Sequence, residues 1–164
     1  MTVYDTLKTL FEQNLWANVR LFAVCAELSE AQLATNLVGG YGSIRDTLQH
    51  IVTSERSYLH RIKTGQPYPR SPEPPKMSLD EMLTAIRASG EGLVSAAPLA
   101  NGDQRVMVDW QGTPRPVPIA IFFTQAINHA TEHRVHIMTT LTQLGIQPPN
   151  LDGWRYFEAC EGGA

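Results

Sequence analysis

The sequence predicts an all-α protein, an antiparallel four-helix bundle with a short β-hairpin before the last long helix. Three observations predict it. Apolar residues recur at i, i+3 and i+4 through four long segments, the spacing that gives a helix one apolar face. Capping residues, glycines and prolines punctuate the ends of those segments. A chain of 164 residues with 43% hydrophobic content is enough for one core, since a domain of this size buries roughly 70% of its unfolded surface. A single domain over residues 1–164 is therefore expected.

The first helix is expected from about Thr2 to Leu28, with Leu7, Leu10, Phe11, Leu21, Phe22, Cys25 and Leu28 on its apolar stripe. Asn14 and Asn18 fall on the same stripe. Two readings stand for them: hydrogen-bonded polar positions at the edge of the core, or the border of a polar cavity. Trp16 points roughly the opposite way at ~100° per residue. It either packs under a neighbouring helix or belongs to an exposed aromatic surface where a homodimer would form.

After the GGYG turn, Ser43 suits the N-cap of a second helix whose stripe runs Ile44, Leu48, Ile51, Val52, Leu59 and Ile62 and which should end near Gly65. Residues 65–76 hold five of the eleven prolines, which cannot donate inside a helix, so this stretch is a connection. Its length lets it cross the end of the bundle. Ser78 and Glu81 then have capping-box spacing at the start of a third helix carrying Leu79, Met82, Leu83, Ile86, Leu93 and Val94. Gly90 and Gly92 weaken its middle.

Between the third and fourth long helices, Val106 and Val108 alternate with polar residues, QGTP makes a turn and Val117 follows, which predicts the hairpin. Its second strand is weakened by prolines. The last long helix should run from about Ile119 to Leu144 and stop at Gly145, with Pro148 and Pro149 beyond. The C-terminal stretch is expected to form a short helical turn that packs Trp154 and Phe157 on the bundle, followed by a frayed end.

Several classes of function are excluded by composition. The formal net charge is −3 and the basic residues are scattered, so the chain offers no field for a nucleic-acid partner. Asp5, Lys8 and Glu12 interrupt any N-terminal signal segment, and no run approaches the ~20 apolar residues of a membrane helix. A cytoplasmic location and no membrane partner are expected. The two cysteines, Cys25 and Cys160, lack CxxC spacing, so neither a disulfide scaffold nor a thiolate metal site is indicated. Cys25 reads as a small core residue.

Chemistry is concentrated in the histidines. At ~100° per residue His133 lies about 40° and His136 about 20° from His129 on the last long helix, on a face shared with Phe122, Ala126, Thr140 and Leu144, so the imidazoles are expected to face the core. The i, i+4 pair His129 and His133 has the spacing that brings two rings to one metal ion. Paired core or surface histidines are the alternative. A zinc-protease HExxH is ruled out, because Ala130 stands where that motif places its general base. His136 lies roughly 10 Å along the axis from His129 at 1.5 Å per residue, too far to share an ion easily. His50, on the flank of the second helix's stripe beside Thr47 and Ser54, is the better third ligand. His60 points away from that stripe and reads as solvated.

These segments resemble the DinB/YfiT-like superfamily of helical-bundle metalloenzymes over nearly the whole chain. The resemblance rests on LWANVRLF (15–22), SIRDTLQHIVTSERSYLHRI (43–62), NHATEHR (128–134) and IMTTLTQLG (137–145). It implies that His50, His129 and His133 hold a divalent metal. One departure stands out: the family often continues HRGQ, whereas this chain has Arg134, Val135 and His136, so an extra ring nitrogen is placed a turn beyond the site.

Three imidazoles without a carboxylate or thiolate leave coordination positions open. A metal so held lowers the pKa of water or a thiol toward neutrality. The ligand set suits zinc, nickel or iron. From the resemblance, the expected function is a metal-dependent enzyme acting on a small molecule, hydrolase-like or transferring a low-molecular-weight thiol. The competing reading is a non-catalytic bundle that the metal merely stabilises, or a dimeric binding or stress-response protein.

Overall fold

A computed structural model describes residues 5–36, 39–69, 71 and 75–162. The long helices are α1 (Thr6–Ala26), α3 (Ile44–Thr64), α4 (Leu79–Ala96) and α5 (Ile119–Gln143); short helices α2 (Glu30–Leu33) and α6 (Gly153–Gly162) flank them. A 3₁₀ turn (Ala97–Asn101) leads from α4 into a hairpin of β1 (Arg105–Trp110) and β2 (Thr113–Pro118). Among the described residues no helix is long and apolar enough to cross a membrane.

The helix ends follow the local chemistry. Ser43 and Ser78 each accept from the backbone three residues on, and Asp46 and Glu81 return the bond, giving two capping boxes. Asp5 caps α1, so the described helix begins at Thr6; the expected start at Thr2 lies outside the described residues. Gly65 closes α3 in the left-handed region at φ +69°, which costs glycine nothing.

The four-helix bundle forms as expected. α1 packs between α4 and α5, and α3 packs between the same two from the other side. One core cluster joins Leu21, Phe22 and Cys25 to Ile44, Leu48, Met82, Ile86, Ile137 and Leu141. A second joins Phe11 to Ile62, Leu93, Ile119 and Phe123. That grouping sets α1 antiparallel to α4 and α3 antiparallel to α5, while α3 and α4 run the same way. The proline-rich connection therefore returns along α3 instead of crossing the bundle end. Gln49 marks its path, donating to the Pro75 carbonyl at 3.3 Å and accepting from the Met77 amide at 2.9 Å. Part of the connection lies outside the described residues.

Gly90 and Gly92 do not interrupt α4. They are close-approach positions: a Cβ at Gly90 would lie 2.6 Å from Leu15 Cδ1, and one at Gly92 would collide with Leu59 Cδ2. The hairpin is also as expected, with Val106 paired to Val117 and wholly buried. Gln111 and Gly112 form its two-residue turn, both at positive φ, which matches the twist of the strands. Pro114, Pro116 and Pro118 occupy alternate positions of β2, so their missing N–H groups share one edge and leave the pairing intact.

Other placements differ from the sequence reading. Leu10 is exposed, because the α1 stripe is centred on Phe11, Asn14, Asn18 and Leu21. The C-terminal segment is a ten-residue helix, and it is not Trp154 or Phe157 that packs; Trp154 is 81% exposed and Phe157 is exposed too. Tyr156 makes the contact, edge to face with Trp16 at 5.7 Å. Trp16 is thus covered by α6 and is not a free aromatic surface. The last two residues of the expected frayed end lie outside the described residues.

Candidate metal centre

The antiparallel packing of α3 on α5 brings His50 opposite His129 and His133. Their ligand atoms all lie within 4.8 Å of one another. His50 Nε2 and His129 Nε2 are 2.9 Å apart, and the ring of His133 lies 4.8 Å from that of His50 and 4.4 Å from that of His129. Two nitrogens on one ion at ~2.1 Å bonds are separated by roughly 3.0–3.4 Å, so the His50–His129 pair needs only a few tenths of an ångström. Nδ1 of His133 is buried with no hydrogen-bond partner among the described residues, as is Nδ1 of His136. The donor set, three imidazoles and no carboxylate, fits a borderline divalent cation.

The electrostatics keep these rings neutral. Burial, with His133 nearby, pushes His50 down to about 4. Burial, then His133 and His50, pushes His129 down to about 4. Burial also lowers His133, against the opposing pull of Glu132. Neutral imidazoles have the lone pairs a metal requires.

Aromatic rings enclose the cluster. Tyr41, from the glycine-rich turn before α3, stacks on His50 with centroids 3.8 Å apart and planes at 14°. The edge of Tyr58 meets His129 at 5.8 Å. Burial raises the Tyr58 phenol above its ordinary range, so it keeps its proton. A cavity of about 560 Å³ opens beside the rings, lined by Tyr41, His50, Ser57, Tyr58, Arg61 and His129 among others.

Below the histidines lies a buried polar network that none of the sequence patterns announced as a unit. Ser89 donates to Glu55 Oε1 at 2.6 Å, and the amides of Asn14 and Asn18 both donate to Oε2 at 3.2 Å. On their other side the asparagine carbonyls accept from Arg134 Nη1 at 2.6 and 2.7 Å, while Arg134 Nη2 donates to Thr131 at 2.9 Å. Glu55 and Arg134 are 2% and 5% exposed. Burial pushes the Glu55 carboxyl up to about 7 against the lowering effect of Ser89, Asn14, Arg134 and Asn18. The asparagines therefore take the hydrogen-bonded reading, but at the centre of the bundle and not at its edge.

His129, His133 and His136 do not face the core directly. All are half-buried, because the buried face of α5 is centred on Phe123, Ala126, Ala130, Arg134, Ile137 and Leu141, which puts the rings on its flank, in the seam with α3. His136 stays outside the cluster, its ring 6.1 Å from that of His133. His60 is not solvated but half-buried, its ring 5.4 Å from that of Tyr68.

The sequence profile of the DinB family matches residues 2–162. No curated protein matches the chain. Among solved structures, a DinB-like protein from Bacillus subtilis superposes with a TM-score of 0.65 at 14% identity, covering 87% of this chain and 97% of its own. A DinB-like protein from Bacillus cereus gives a TM-score of 0.61 at 21% identity, covering 85% of this chain and 91% of its own. Both likenesses are of fold.

Proposed function

This chain belongs to the DinB family, and we propose that it is a metal-dependent enzyme acting on a small molecule, by hydrolysis or by transfer of a low-molecular-weight thiol. The observation that carries this reading is the convergence of His50, His129 and His133 beside a cavity large enough for a small substrate, whose wall includes His50 and His129. Three neutral ligands leave positions open for a reactant. When bound, a divalent cation such as zinc, nickel or iron supplies Lewis acidity that brings a coordinated water or thiol toward neutral pKa.

The chain's own residues supply the setting. Tyr41 shields one face of the His50 ring and limits its rotation. Tyr58 retains a phenolic proton next to His129 that can be donated to a substrate oxygen. Thr53, Ser54 and Ser57 give the cavity a hydroxyl-bearing wall along α3. A diffusible small molecule, and not nucleic acid, is in keeping with the net charge of −3.

The test adds zinc or nickel to metal-free, untagged protein and follows both melting temperature and turnover on a panel of activated esters and of thiols paired with a soft electrophile. Metal-dependent turnover, with a raised melting temperature, is the expected result. A raised melting temperature without turnover on any member of the panel would favour the second reading, in which the ion only fastens α3 to α5.

A further inference from the structure

We infer that the cavity beside the three histidines holds a flat aromatic ring of the substrate, joined by a short linker to the reacting atom. The inference rests on the metal-dependent reading above and names the substrate class for the same site. His50 and His129 both line the cavity, so a molecule that fills it lies next to the ion those rings would hold. Its volume of about 560 Å³ is in the range of small-molecule sites. Four further aromatic side chains stand in the wall, Tyr41, Tyr58, Tyr68 and Phe122, with the aliphatic Val108 beside them. They come from the turn before α3, α3 itself, the connection after it, α5 and β1. The stripe of one helix does not gather such a set; the tertiary fold brings it to the ligands.

The aromatic wall begins at the ligands. The ring of Tyr41 lies 3.8 Å from that of His50, and the ring of Tyr58 lies 5.8 Å from that of His129, so a short linker is enough to bring a substrate ring among them. Phe122 is buried in the core cluster that holds Ile119 and Phe123, which fixes its position. A wall that is already ordered loses little freedom when an occupant arrives. Arg61, in the same wall, is turned back onto its own helix, donating to the carbonyl and the hydroxyl of Ser57. Aromatic rings attract one another edge to face or offset, beyond what their apolar area alone supplies. A saturated ring of the same size gains the area and lacks that added attraction, which separates an aromatic site from a merely apolar one.

The probes are 2-phenylethanethiol, 2-cyclohexylethanethiol and 2-mercaptoethanol, titrated into the cobalt(II)-loaded protein and read by sulfur-to-cobalt charge-transfer absorbance. The wild type is expected to bind the phenyl thiol about threefold to tenfold more tightly than the cyclohexyl thiol, the scale of one or two aromatic contacts. It should bind mercaptoethanol at least about tenfold more weakly than the phenyl thiol, since that probe buries no ring. In Tyr58→Leu the phenyl-to-cyclohexyl ratio should fall to within about twofold. Tyr58 also packs against the core, so Tyr68→Leu, which changes a residue outside the helices, supplies a second variant in which the ratio should drop. Equal or reversed affinities for the two rings, mercaptoethanol binding as tightly as the phenyl thiol, binding of no thiol, or a ratio unchanged in both variants would overturn the inference while leaving the metal site standing. Failure to take up cobalt would overturn the metal reading, and this inference with it.

Discussion

Arg134→Ala is expected to destabilise the protein by about 3–5 kcal/mol, the scale for removing one member of a buried charged pair. The guanidinium is the donor that both asparagine carbonyls depend on, and its charge offsets that of Glu55 through those amides. Removing it leaves two amide oxygens unpaired and a carboxylate without its counter-charge in the middle of the bundle. Lysine cannot replace it, because one ammonium cannot reach Asn14, Asn18 and Thr131 from the places that the planar guanidinium occupies. Urea unfolding near pH 8, where Glu55 is mostly ionised, measures the effect. In a Glu55→Gln background the same substitution should cost less by 1 kcal/mol or more, because the uncompensated charge is gone, an order-of-magnitude figure for coupled neighbours. Equal costs in both backgrounds would mean that the two charges do not act together.

The pH dependence of stability should carry the signature of Glu55. Its carboxyl is raised from 4.5 to about 7 on folding, so the folded state takes up a proton in that interval. The contribution is fully present below about 4.5 and is lost as pH climbs through about 7. The wild-type stability minus that of Glu55→Gln is therefore expected to fall by about 3 kcal/mol across that window and level off above it. His50 and His129 act in the opposite direction, since their folded values of about 4 lie below 6.5. They favour folding above about 6.5 and that contribution is lost as pH falls toward about 4. Both proteins contain them, so they cancel in the difference. A difference that stays flat or rises with pH would show that the three donors and Arg134 hold Glu55 ionised throughout.

The bundle was legible because its signals are local. Ser43, Ser78 with Glu81, and Gly65 each act within a few residues, and the structure uses all of them. The histidine triad was legible in part. The i, i+4 spacing of His129 and His133 is local, but the choice of His50 depends on which helix packs against α5; its place on the flank of the second helix's stripe suggested it, and the family resemblance strengthened it.

The buried network was harder to read, though its signal is present. Glu55 falls four residues after Ile51, and Arg134 four after Ala130, each on a buried stripe where a charge stands out. The pairing of Glu55 with Asn14, Asn18, Ser89 and Arg134 joins four helices, and no one-dimensional pattern contains it. Trp154 misled for the reverse reason. A large apolar side chain near a chain end reads as packed, yet on α6 the ring of Tyr156 takes the contact with α1.

The network also bears on the site. Arg134 directly follows His133 and is tied to α1, which fixes the rotation of α5 about its axis and so aims His129 and His133 at α3. The most direct test of the account is the metal content of protein purified without a histidine tag, compared among wild type, His50→Ala, His133→Ala and His136→Ala. Near-stoichiometric divalent metal in wild type and His136→Ala, and loss in the other two, is the predicted result. Metal retained in His50→Ala and lost in His136→Ala would contradict it, because the ion would then not bridge α3 and α5.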